Sequence, residues 1–358
     1  MDKILDFYHG KRVFLTGHTG FKGMWLSKIL TMAGAEVTGF SLPSPTEQGA
    51  RVLAECGALA EMRSVTGDVR DYNSLLAAFR ESRPELVFHL AAQPIVLESY
   101  RDPLGTYATN VMGTVNLLEC ARQSALAGEP VRSLLNVTTD KVYENREWYW
   151  GYREDEPLDG YDPYSNSKSC SELVTHSYRR SFLAEAGTAV STARAGNVIG
   201  GGDYAPHRII PDAVEAALAG KTIPVRNPHS TRPYQHVLEP LFAYLLIAAR
   251  QYESREMASE YNVGPDECDC VTTGKLMDIF CAAWGSGASW ECRLAEQPHE
   301  AAFLKLDCSK LKQALGWKPC WHIEEAVRRC CDWAKADAEG QGRACMEQQI
   351  RDYMGVSR

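Results

Sequence analysis

The sequence predicts an α/β fold in which a doubly wound parallel sheet is followed by a smaller C-terminal α/β domain. Short apolar segments of strand length alternate with longer segments of helical periodicity through the first half of the chain. A glycine-rich turn follows the first apolar segment, and a tyrosine and a lysine lie four residues apart farther along. Alternation of this kind is typical of parallel sheets whose crossover helices cover both faces.

Each predicted element has a local signal in the sequence. Strands are predicted at 11–16, 36–40, 63–67, 86–90, 132–138 and 188–194. Helices are predicted at 24–33, near 51–54, after an Asp71 cap, at 110–126 and at 164–186, where Gly187 ends the last of them. The fourth strand segment is almost continuously apolar, as a strand buried on both faces should be.

Composition excludes several classes of function. The 358 residues, 45% hydrophobic and 23% charged, suffice for one large or two modest domains. A net charge of −8 argues against nucleic acid or an anionic membrane as the main partner. The apolar run Leu241–Ala249 is too short to span a bilayer, and Met1–Asp6 lacks the apolar core of a signal peptide. A cytoplasmic protein is predicted.

The 12 cysteines are scattered and contain no Cys-x-x-Cys pair. The pairs Cys268/Cys270 and Cys330/Cys331 do not have the spacing of a zinc knuckle. Cys320 and His322 could face one metal ion, but nothing near them in the chain completes a site. Reduced, mostly buried thiols and no metal are predicted.

The glycine-rich turn predicts a dinucleotide site. Gly17, Gly20 and Gly23 form a G-x-x-G-x-x-G pattern between the first predicted strand and the first predicted helix. Glycines there allow a tight turn and a close backbone approach to a pyrophosphate, which the helix N-terminus attracts. Because the pattern lies between a strand and a helix, it favours a Rossmann-type sheet.

Tyr164 and Lys168 are the candidate redox pair. A spacing of four places both side chains on one helix face, where the ammonium group favours the phenolate and lets the tyrosine take a proton from an alcohol. Thr138–Lys141 follows the fifth strand and His89–Gln93 the fourth. Ligands of doubly wound sheets bind at the carboxyl ends of the strands, so these segments should meet the glycine turn.

Six motifs occur in an order that resembles the extended short-chain dehydrogenase/reductase family acting on nucleotide sugars, over about residues 10–326. They are Gly17-x-x-Gly20-x-x-Gly23, Asp68–Asp71, His89–Gln93, Thr138–Tyr143, Tyr164-x-x-x-Lys168 and Arg194–Val198. Thr139-Asp140 resembles 4,6-dehydratases, since 4-epimerases usually have Ser-Ser or Ser-Ala there. Lys141 replaces the glutamate of the dTDP-glucose type, which is similar to CDP-glucose 4,6-dehydratases of 3,6-dideoxyhexose (O-antigen type lipopolysaccharide) biosynthesis.

The resemblance implies NAD as cofactor and a redox-neutral dehydration. Thr139 bonds the sugar O4 while Tyr164 takes its proton, and Asp140 protonates the departing O6 with a pKa raised by burial. Lys141 is either the base at C5 or a cation that stabilises the enolate, and pairing with Glu144 is the structural alternative. The aromatic cluster Trp148–Trp150 either covers the sugar or fills a crevice.

The resemblance also implies contacts, domains and assembly. Cofactor contacts are expected from Gly17, Thr19, Gly20, Phe21, Gly23, Asp68, Val69, Leu90, Ala91, Ala92, Gln93, Thr138, Tyr164 and Lys168. Substrate contacts are expected from Gln93, Asn197, Arg208, Arg226 and Arg232. Residues 1–196, with 237–266 returning to them, form the NAD-binding domain, and 197–236 with 267–358 form the nucleotide-sugar domain. A homodimer built on the helices that begin at Asn110 and Tyr164 is expected.

Three points stay open at this level. Another nucleotide sugar, a 4-epimerase, or a nonenzymatic NAD-sensing protein are the alternatives, and the intact Tyr164/Lys168 pair speaks against the last. The second strand ends without a carboxylate before Glu47, which predicts weak, exchangeable NAD rather than NADP, with Arg51 as the candidate cation for a 2′-phosphate. Ala301 and Ala302 stand where many relatives have an arginine that contacts the diphosphate.

Overall fold

The computed structural model describes residues 2–293 and 303–356, so the prediction about Ala301 and Ala302 lies outside the described residues. Its strands are β1 Arg12–Thr16, β2 Glu36–Ser41, β3 Arg63–Thr66, β4 Leu86–His89, β5 Ser133–Thr139, β6 Ala189–Ala195, β7 Val198–Ile199, β8 Ile223–Val225, β9 Thr231–Arg232, β10 Gln235–His236, β11 Glu260–Val263, β12 Val271–Thr272 and β13 Trp290–Cys292.

The α-helices cover the sheet and build the smaller lobe. They are α1 Asp2–Tyr8, α2 Phe21–Met32, α3 Glu47–Glu55, α4 Tyr72–Ser82, α5 Val96–Arg101, α6 Pro103–Tyr107, α7 Gly113–Leu126, α8 Pro163–Tyr178, α9 Ile209–Leu218, α10 Leu238–Glu253, α11 Thr273–Trp284, α12 Ser309–Leu315, α13 Ile323–Ala338 and α14 Gly342–Val356. In the described part of the chain, no helix combines the length and apolarity needed to cross a bilayer.

Seven strands form one parallel sheet in the order β11-β6-β5-β4-β1-β2-β3. The predicted doubly wound α/β fold is therefore confirmed. The strand order changes direction between β1 and β4, which pair from Val13↔Leu86 to Thr16↔His89. Crevices at such a switch point, outside the carboxyl ends of the strands, are where doubly wound sheets bind ligands.

The predicted elements are present with shifted ends. The helix predicted from Asn110 begins with α6 and passes through a π-helical turn, Ala108–Met112, before α7. The helix predicted from Tyr164 begins at Pro163 because Asp162 caps it, its carboxylate accepting a hydrogen bond from the backbone N–H of Ser165 at 3.0 Å. The Asp71 cap is confirmed, since its side chain accepts from the backbone N–H of Ser74 at 3.2 Å.

Two hydrophobic clusters divide most of the core. The larger packs α2 and α10 against the sheet and includes Met346, Ile350 and Tyr353 of α14. The second joins β8 to α9, α11 and α13. The return of 237–266 to the sheet agrees with the positions of α10 and β11, while the proposed domain boundaries stay a prediction.

A buried carboxylate joins α8 to the sheet. Glu172 on α8 accepts hydrogen bonds from Thr138 on β5 at 2.5 Å and Thr192 on β6 at 2.7 Å, and its partner cation is Arg194 at 3.0 Å. Glu172 and Arg194 are almost completely buried. Since α8 also bears Tyr164 and Lys168, this network fixes where the candidate redox pair stands relative to β5.

We predict that Glu172→Gln destabilises the fold by about 3–5 kcal/mol, because it leaves the guanidinium of Arg194 buried without its counter-charge. Urea unfolding of the wild type and the variant measures the change. Glu185→Gln, at an exposed position just beyond the end of the same helical segment, should change the free energy of unfolding by less than about 0.5 kcal/mol. Equal stability of the two variants would contradict the anchoring role of Glu172.

Candidate active site

The glycine turn leaves room for an anion at the start of α2. Gly17 has φ +76°, and a Cβ built there would lie 2.7 Å from the backbone N of Ala91. A Cβ on Gly23 would lie 2.0 Å from the carbonyl O of Gly17. Gly20 is the N-cap, with no side-chain cap and no acidic residue in the first turn of the helix. The turn is therefore built for close backbone packing, and the helix N-terminus suits a pyrophosphate.

The segment after β4 lies against this turn. The backbone N–H of Leu90 donates to the carbonyl of Thr16 at 3.2 Å, and that of Ala91 donates to the hydroxyl of Thr16 at 3.2 Å. Gln93 is used differently, because its amide bonds the backbone of Ile95 and the hydroxyl of Thr106. The Leu90–Ala91 backbone thus borders the predicted cofactor position, whereas the Gln93 side chain shapes its own turn.

At the end of β3, Asp68 and Val69 hold the loop that precedes α4. Asp68 pairs with Arg70 at the surface, which holds the pKa of its carboxyl below the ordinary value. Val69 is buried and packs closely against Gly113 of α7. A Cβ added to Gly113 would lie only 2.7 Å from the Val69 side chain. Asp68 therefore pairs locally and Val69 packs against α7, and their contacts with the cofactor stay a prediction.

Four predicted catalytic residues come together at the end of β5. Tyr164 hydrogen-bonds Thr139, whose hydroxyl donates to the carboxylate of Asp140 at 3.0 Å. Lys168 lies one turn after Tyr164 and donates from Nζ to the carbonyl of Val137 on β5 at 3.1 Å. All four side chains are buried. The family resemblance implied this meeting of α8 with the end of β5.

Burial dominates the titration of the redox pair. It raises the pKa of Tyr164 to about 12, although the hydrogen bond with Thr139 and the charge of Arg208 oppose the rise. Burial also lowers the pKa of Lys168 to about 8, with Glu172 opposing. Lys168 alone therefore does not make Tyr164 a phenolate at neutral pH, and the deprotonation predicted from the sequence requires a further positive charge.

Asp140 has the surroundings of a general acid. One carboxylate oxygen accepts from Thr139, and the other has no hydrogen-bond partner among the described residues. A Cβ on Gly196 would come within 3.1 Å of that second oxygen, so glycine keeps the space beside it open. Burial raises the pKa of Asp140, while the charges of Lys141 and Arg232 act in the opposite direction. The predicted direction of the shift is confirmed.

Lys141 stands beside Asp140 at a half-buried position, and its backbone N–H donates to the hydroxyl of Thr139 at 3.4 Å. Glu144 pairs with Arg146 at 3.2 Å instead of with Lys141. Over residues 2–293 and 303–356, no carboxylate lies within ion-pair distance of the Lys141 ammonium. The alternative of a Lys141–Glu144 pair is therefore wrong, and the side chain is left for another role.

The arginines predicted for the substrate divide into two groups. Arg208 pairs with Asp203 at 2.8 Å, and its charge acts on Tyr164. Arg232 is buried, and its charge acts on Asp140. Arg226 donates instead to the carbonyl of His207 at 3.1 Å. Thus Arg208 and Arg232 border the catalytic group, and Arg226 supports the loop that presents Arg208.

Asn197 and Trp148, one member of the aromatic cluster, have structural roles. The carbonyl of Asn197 accepts from the backbone N–H of Gln235 at 2.9 Å, which joins the end of β6 to β10. Trp148 stacks on Tyr152 with ring centroids 5.3 Å apart, so it fills a crevice. Tyr149 and Trp150 are 83% and 71% exposed and therefore do not fill a crevice.

Sequence reasoning missed Lys22, in the first turn of α2. Its ammonium lies 5.9 Å from the ring centroid of Tyr244, a buried residue of α10. Burial and the charges of Lys168 and Arg208 lower its pKa to about 7, although Asp140 and Asp203 oppose the shift. The sequence did contain a signal for Lys22. This lysine lies within the glycine motif and therefore belongs to the first turn of the helix whose N-terminus faces the predicted pyrophosphate.

Residues 14–330 match the family model of GDP-mannose 4,6 dehydratase. A CDP-glucose 4,6-dehydratase of Salmonella typhimurium is 46% identical to this chain, with 98% of each chain covered. The chain belongs to the GDP-mannose 4,6-dehydratase family. The resemblance to nucleotide-sugar 4,6-dehydratases stated from the motifs is therefore confirmed.

Solved members of the wider group share the fold of this dehydratase-family chain. A dTDP-glucose 4,6-dehydratase of Streptomyces venezuelae, solved with NAD bound, has a TM-score of 0.76 and 28% identity and covers 91% of this chain and 97% of its own. A UDP-glucose 4-epimerase of Thermus thermophilus in complex with NAD has a TM-score of 0.77 and 27% identity, with 90% and 99% covered. Fold alone therefore does not separate dehydration from epimerisation, and the site residues must.

We predict that Lys22→Met raises the free energy of unfolding at pH 7 by at least about 1 kcal/mol, since one pKa unit corresponds to about 1.4 kcal/mol. The folded protein holds the Lys22 proton with a pKa of about 7, against an ordinary 10.5, so stability should rise with pH between these values. The variant should lose that part of the slope.

Urea unfolding at pH 7 and pH 9 measures both effects of the Lys22 substitution. Lys275→Met, at an exposed position of α11, is the matched control and should leave stability within about 0.5 kcal/mol. A destabilised Lys22→Met protein would show that the ammonium is well satisfied where it lies, contrary to this account.

Proposed function

We propose that this protein is an NAD-dependent lyase that converts CDP-D-glucose to CDP-4-keto-6-deoxy-D-glucose and water. One observation carries the proposal beyond family membership: a buried carboxyl with a raised pKa, Asp140, stands beside Thr139 and Tyr164. Epimerisation at C4 needs a base for the O4 proton, whereas loss of water also needs an acid at O6. The 46% identical relative bears the name of the same reaction.

The residues around the glycine turn fit NAD better than NADP. At the end of β2 the hydroxyl of Thr19 bonds Ser41 at 2.9 Å and the carbonyl of Leu42 at 2.8 Å. Arg51, the candidate cation for a 2′-phosphate, is paired with Asp337 at 2.6 Å. Arg51 is therefore not free to bind a 2′-phosphate. NAD, when bound, accepts a hydride from the sugar and later returns it.

The first half of the reaction removes a hydride from C4 and a proton from O4. Thr139 orients the sugar by bonding O4, and Tyr164 accepts the O4 proton at its phenolic oxygen. The raised pKa of Tyr164 must fall for this step; the ammonium of Lys168 acts in that direction, and the positive charge of oxidised NAD would add to it when the cofactor is bound. Tyr164 is thus a base only when the whole site is assembled.

In the second half, Asp140 donates a proton to O6, which leaves as water and gives a C5=C6 double bond; the hydride then returns to C6 and a proton returns to C5. Lys141 faces the C5 side in this proposal, as the base that removes the C5 proton or as the cation that stabilises the enolate. Both roles require a lysine that has no ion-pair partner, and Glu144 is already occupied by Arg146. The C4 ketone made in the first half acidifies the C5 hydrogen, so the two halves occur in this order.

Substrate binding, assembly and location complete the proposal. In this proposal Arg208 and Arg232 provide planar cations for the diphosphate, Arg226 supports the loop before Arg208, and Asn197 is a further polar contact. Exposed apolar side chains on the helices that flank the sheet support a homodimer; they are Leu104, Met112, Leu173 and Phe182. We place the enzyme in the cytoplasm and its product in 3,6-dideoxyhexose synthesis of the O-antigen type.

The reaction is tested with CDP-, dTDP-, UDP- and GDP-glucose, each with and without added NAD. We predict that CDP-glucose is consumed fastest and yields a 4-keto-6-deoxy sugar, with no net NADH because the hydride returns to C6. Mass spectrometry detects the loss of water, and absorbance follows NADH. Faster turnover of another nucleotide would refute the CDP assignment, and C4 inversion without loss of water would refute dehydration.

Asp140→Asn separates the two halves of the reaction. The amide cannot supply the O6 proton, so C4 oxidation should proceed and elimination should slow by about 10²–10⁴-fold. A single-turnover experiment should then show NADH and a 4-ketohexose accumulating. As a control, Asp159→Asn changes an exposed carboxylate in the loop before α8 and should turn over normally. Wild-type elimination in Asp140→Asn would remove Asp140 from the mechanism.

A further inference from the structure

The smaller lobe holds a cluster of ligand-type side chains that belongs to neither the catalytic group nor the predicted cofactor position. Cys268, Asp269 and His322 bring a thiol, a carboxylate and an imidazole together, and their ligand atoms all lie within 4.8 Å of one another. The sequence prediction of no metal considered only the neighbours of His322 along the chain. The fold instead supplies its partners from the turn Glu267–Asp269, about fifty residues earlier.

Asp269 is the fixed member of the cluster. Its side chain is only 7% exposed, and one carboxylate oxygen accepts from the backbone N–H of Ile323 at 2.9 Å, at the start of α13. The other oxygen lies 2.9 Å from Nδ1 of His322 and 3.7 Å from Sγ of Cys268. The helix therefore holds the carboxylate in place and leaves one oxygen directed at the two other ligands.

We propose that Cys268, Asp269 and His322 bind one Zn²⁺ ion, with water completing its coordination. Sulfur, nitrogen and oxygen donors together suit zinc, whereas Mg²⁺ and Ca²⁺ prefer oxygen ligands alone. His322 is 71% exposed on its side chain and Cys268 is exposed, so solvent reaches the open side. Three ligand atoms within 4.8 Å of one another are close enough to share one ion at ligand distances of about 2.0–2.3 Å.

The surrounding charge favours a cation at this position. Asp266 and Glu324 lie near the cluster and add negative charge to that of Asp269. Two neighbouring acidic residues already hold lysines, with Glu267 paired to Lys305 at 2.8 Å and Asp266 paired to Lys312. Among the described residues no lysine or arginine pairs with Asp269, whose side-chain partners are His322 and Cys268, both candidate ligands of the ion.

A bound ion would tie a turn of the smaller lobe to a helix start. The turn leads into β12, where Val271 pairs with Arg232 of β9. Zinc would thus hold the start of α13 against the strand pair that presents Arg232. We expect binding to raise the melting temperature of the whole protein, because an ion that binds only the folded state stabilises it.

The full-length protein, treated with a chelator and desalted, tests the site by calorimetric titration with zinc chloride. Cys268→Ser and His322→Ala should each weaken binding by at least about tenfold, since even outer-sphere partners of a metal site cost 10–100-fold. Cys292→Ser removes another exposed cysteine and is the matched control, with unchanged affinity expected. Co²⁺ in place of Zn²⁺ should give a thiolate charge-transfer band that Cys268→Ser abolishes.

Each outcome decides the proposal. Failure of the wild-type protein to bind zinc, or equal binding by the wild type, Cys268→Ser and His322→Ala, would overturn it. Both positions are exposed, and circular dichroism checks that the variants are folded. Asp269→Asn keeps a carbonyl oxygen to accept from Ile323 while losing the charge, so it should retain the start of α13 and bind zinc more weakly.

Discussion

The geometry of the active site depends on how α8 is held against β5 and β6. Glu172 makes this attachment with hydrogen bonds to both strands and with the Arg194 charge, all removed from water. A buried ion pair of this kind contributes little to stability by its presence but costs much when one partner is removed. The ion pair instead sets the position of the catalytic residues relative to one another. Tyr164 and Lys168 lie on α8, and Thr139 and Asp140 lie at the facing end of β5.

Positive charge is the second constraint. Lys22, Lys168 and Arg208 surround a site in which the carboxyl of Asp140 itself has a raised pKa. Burial lowers the pKa of both Lys22 and Lys168, and for Lys22 the charges of Lys168 and Arg208 add to the effect. A diphosphate in the cofactor or the substrate would relieve it, since anions favour the charged form of both lysines. The site is therefore arranged for ligands that bring negative charge with them.

The sequence predicted much of the fold and the catalytic group, for physical reasons. A continuous apolar strand, a glycine turn and an Asp cap are local features, so β4 and the Asp71 cap are where they were expected, and α2 begins at Phe21, three residues before its predicted start. The end of α7 follows the prediction, but the π-helical turn before it has no local signal. Tyr164 and Asp140 lie close together because the ligand-binding residues of a doubly wound sheet collect at the carboxyl ends of its strands.

What the sequence did not predict depends on residues that are distant in the chain. Lys22 meets Tyr244 of α10, and His322 meets Cys268 and Asp269, only through tertiary packing. The pKa of Tyr164 likewise depends on how deeply α8 is buried, which the spacing of Tyr and Lys does not reveal.

The central claim is that Tyr164 takes the O4 proton in an otherwise intact site. Rapid mixing of Tyr164→Phe with NAD and CDP-glucose measures it most directly, with NADH absorbance as the signal for C4 oxidation. Tyr178→Phe, near the far end of the same helix, is the control. The account predicts that oxidation falls by about 10²–10⁴-fold in Tyr164→Phe and is unchanged in the control. Oxidation at close to the wild-type rate in Tyr164→Phe would contradict it.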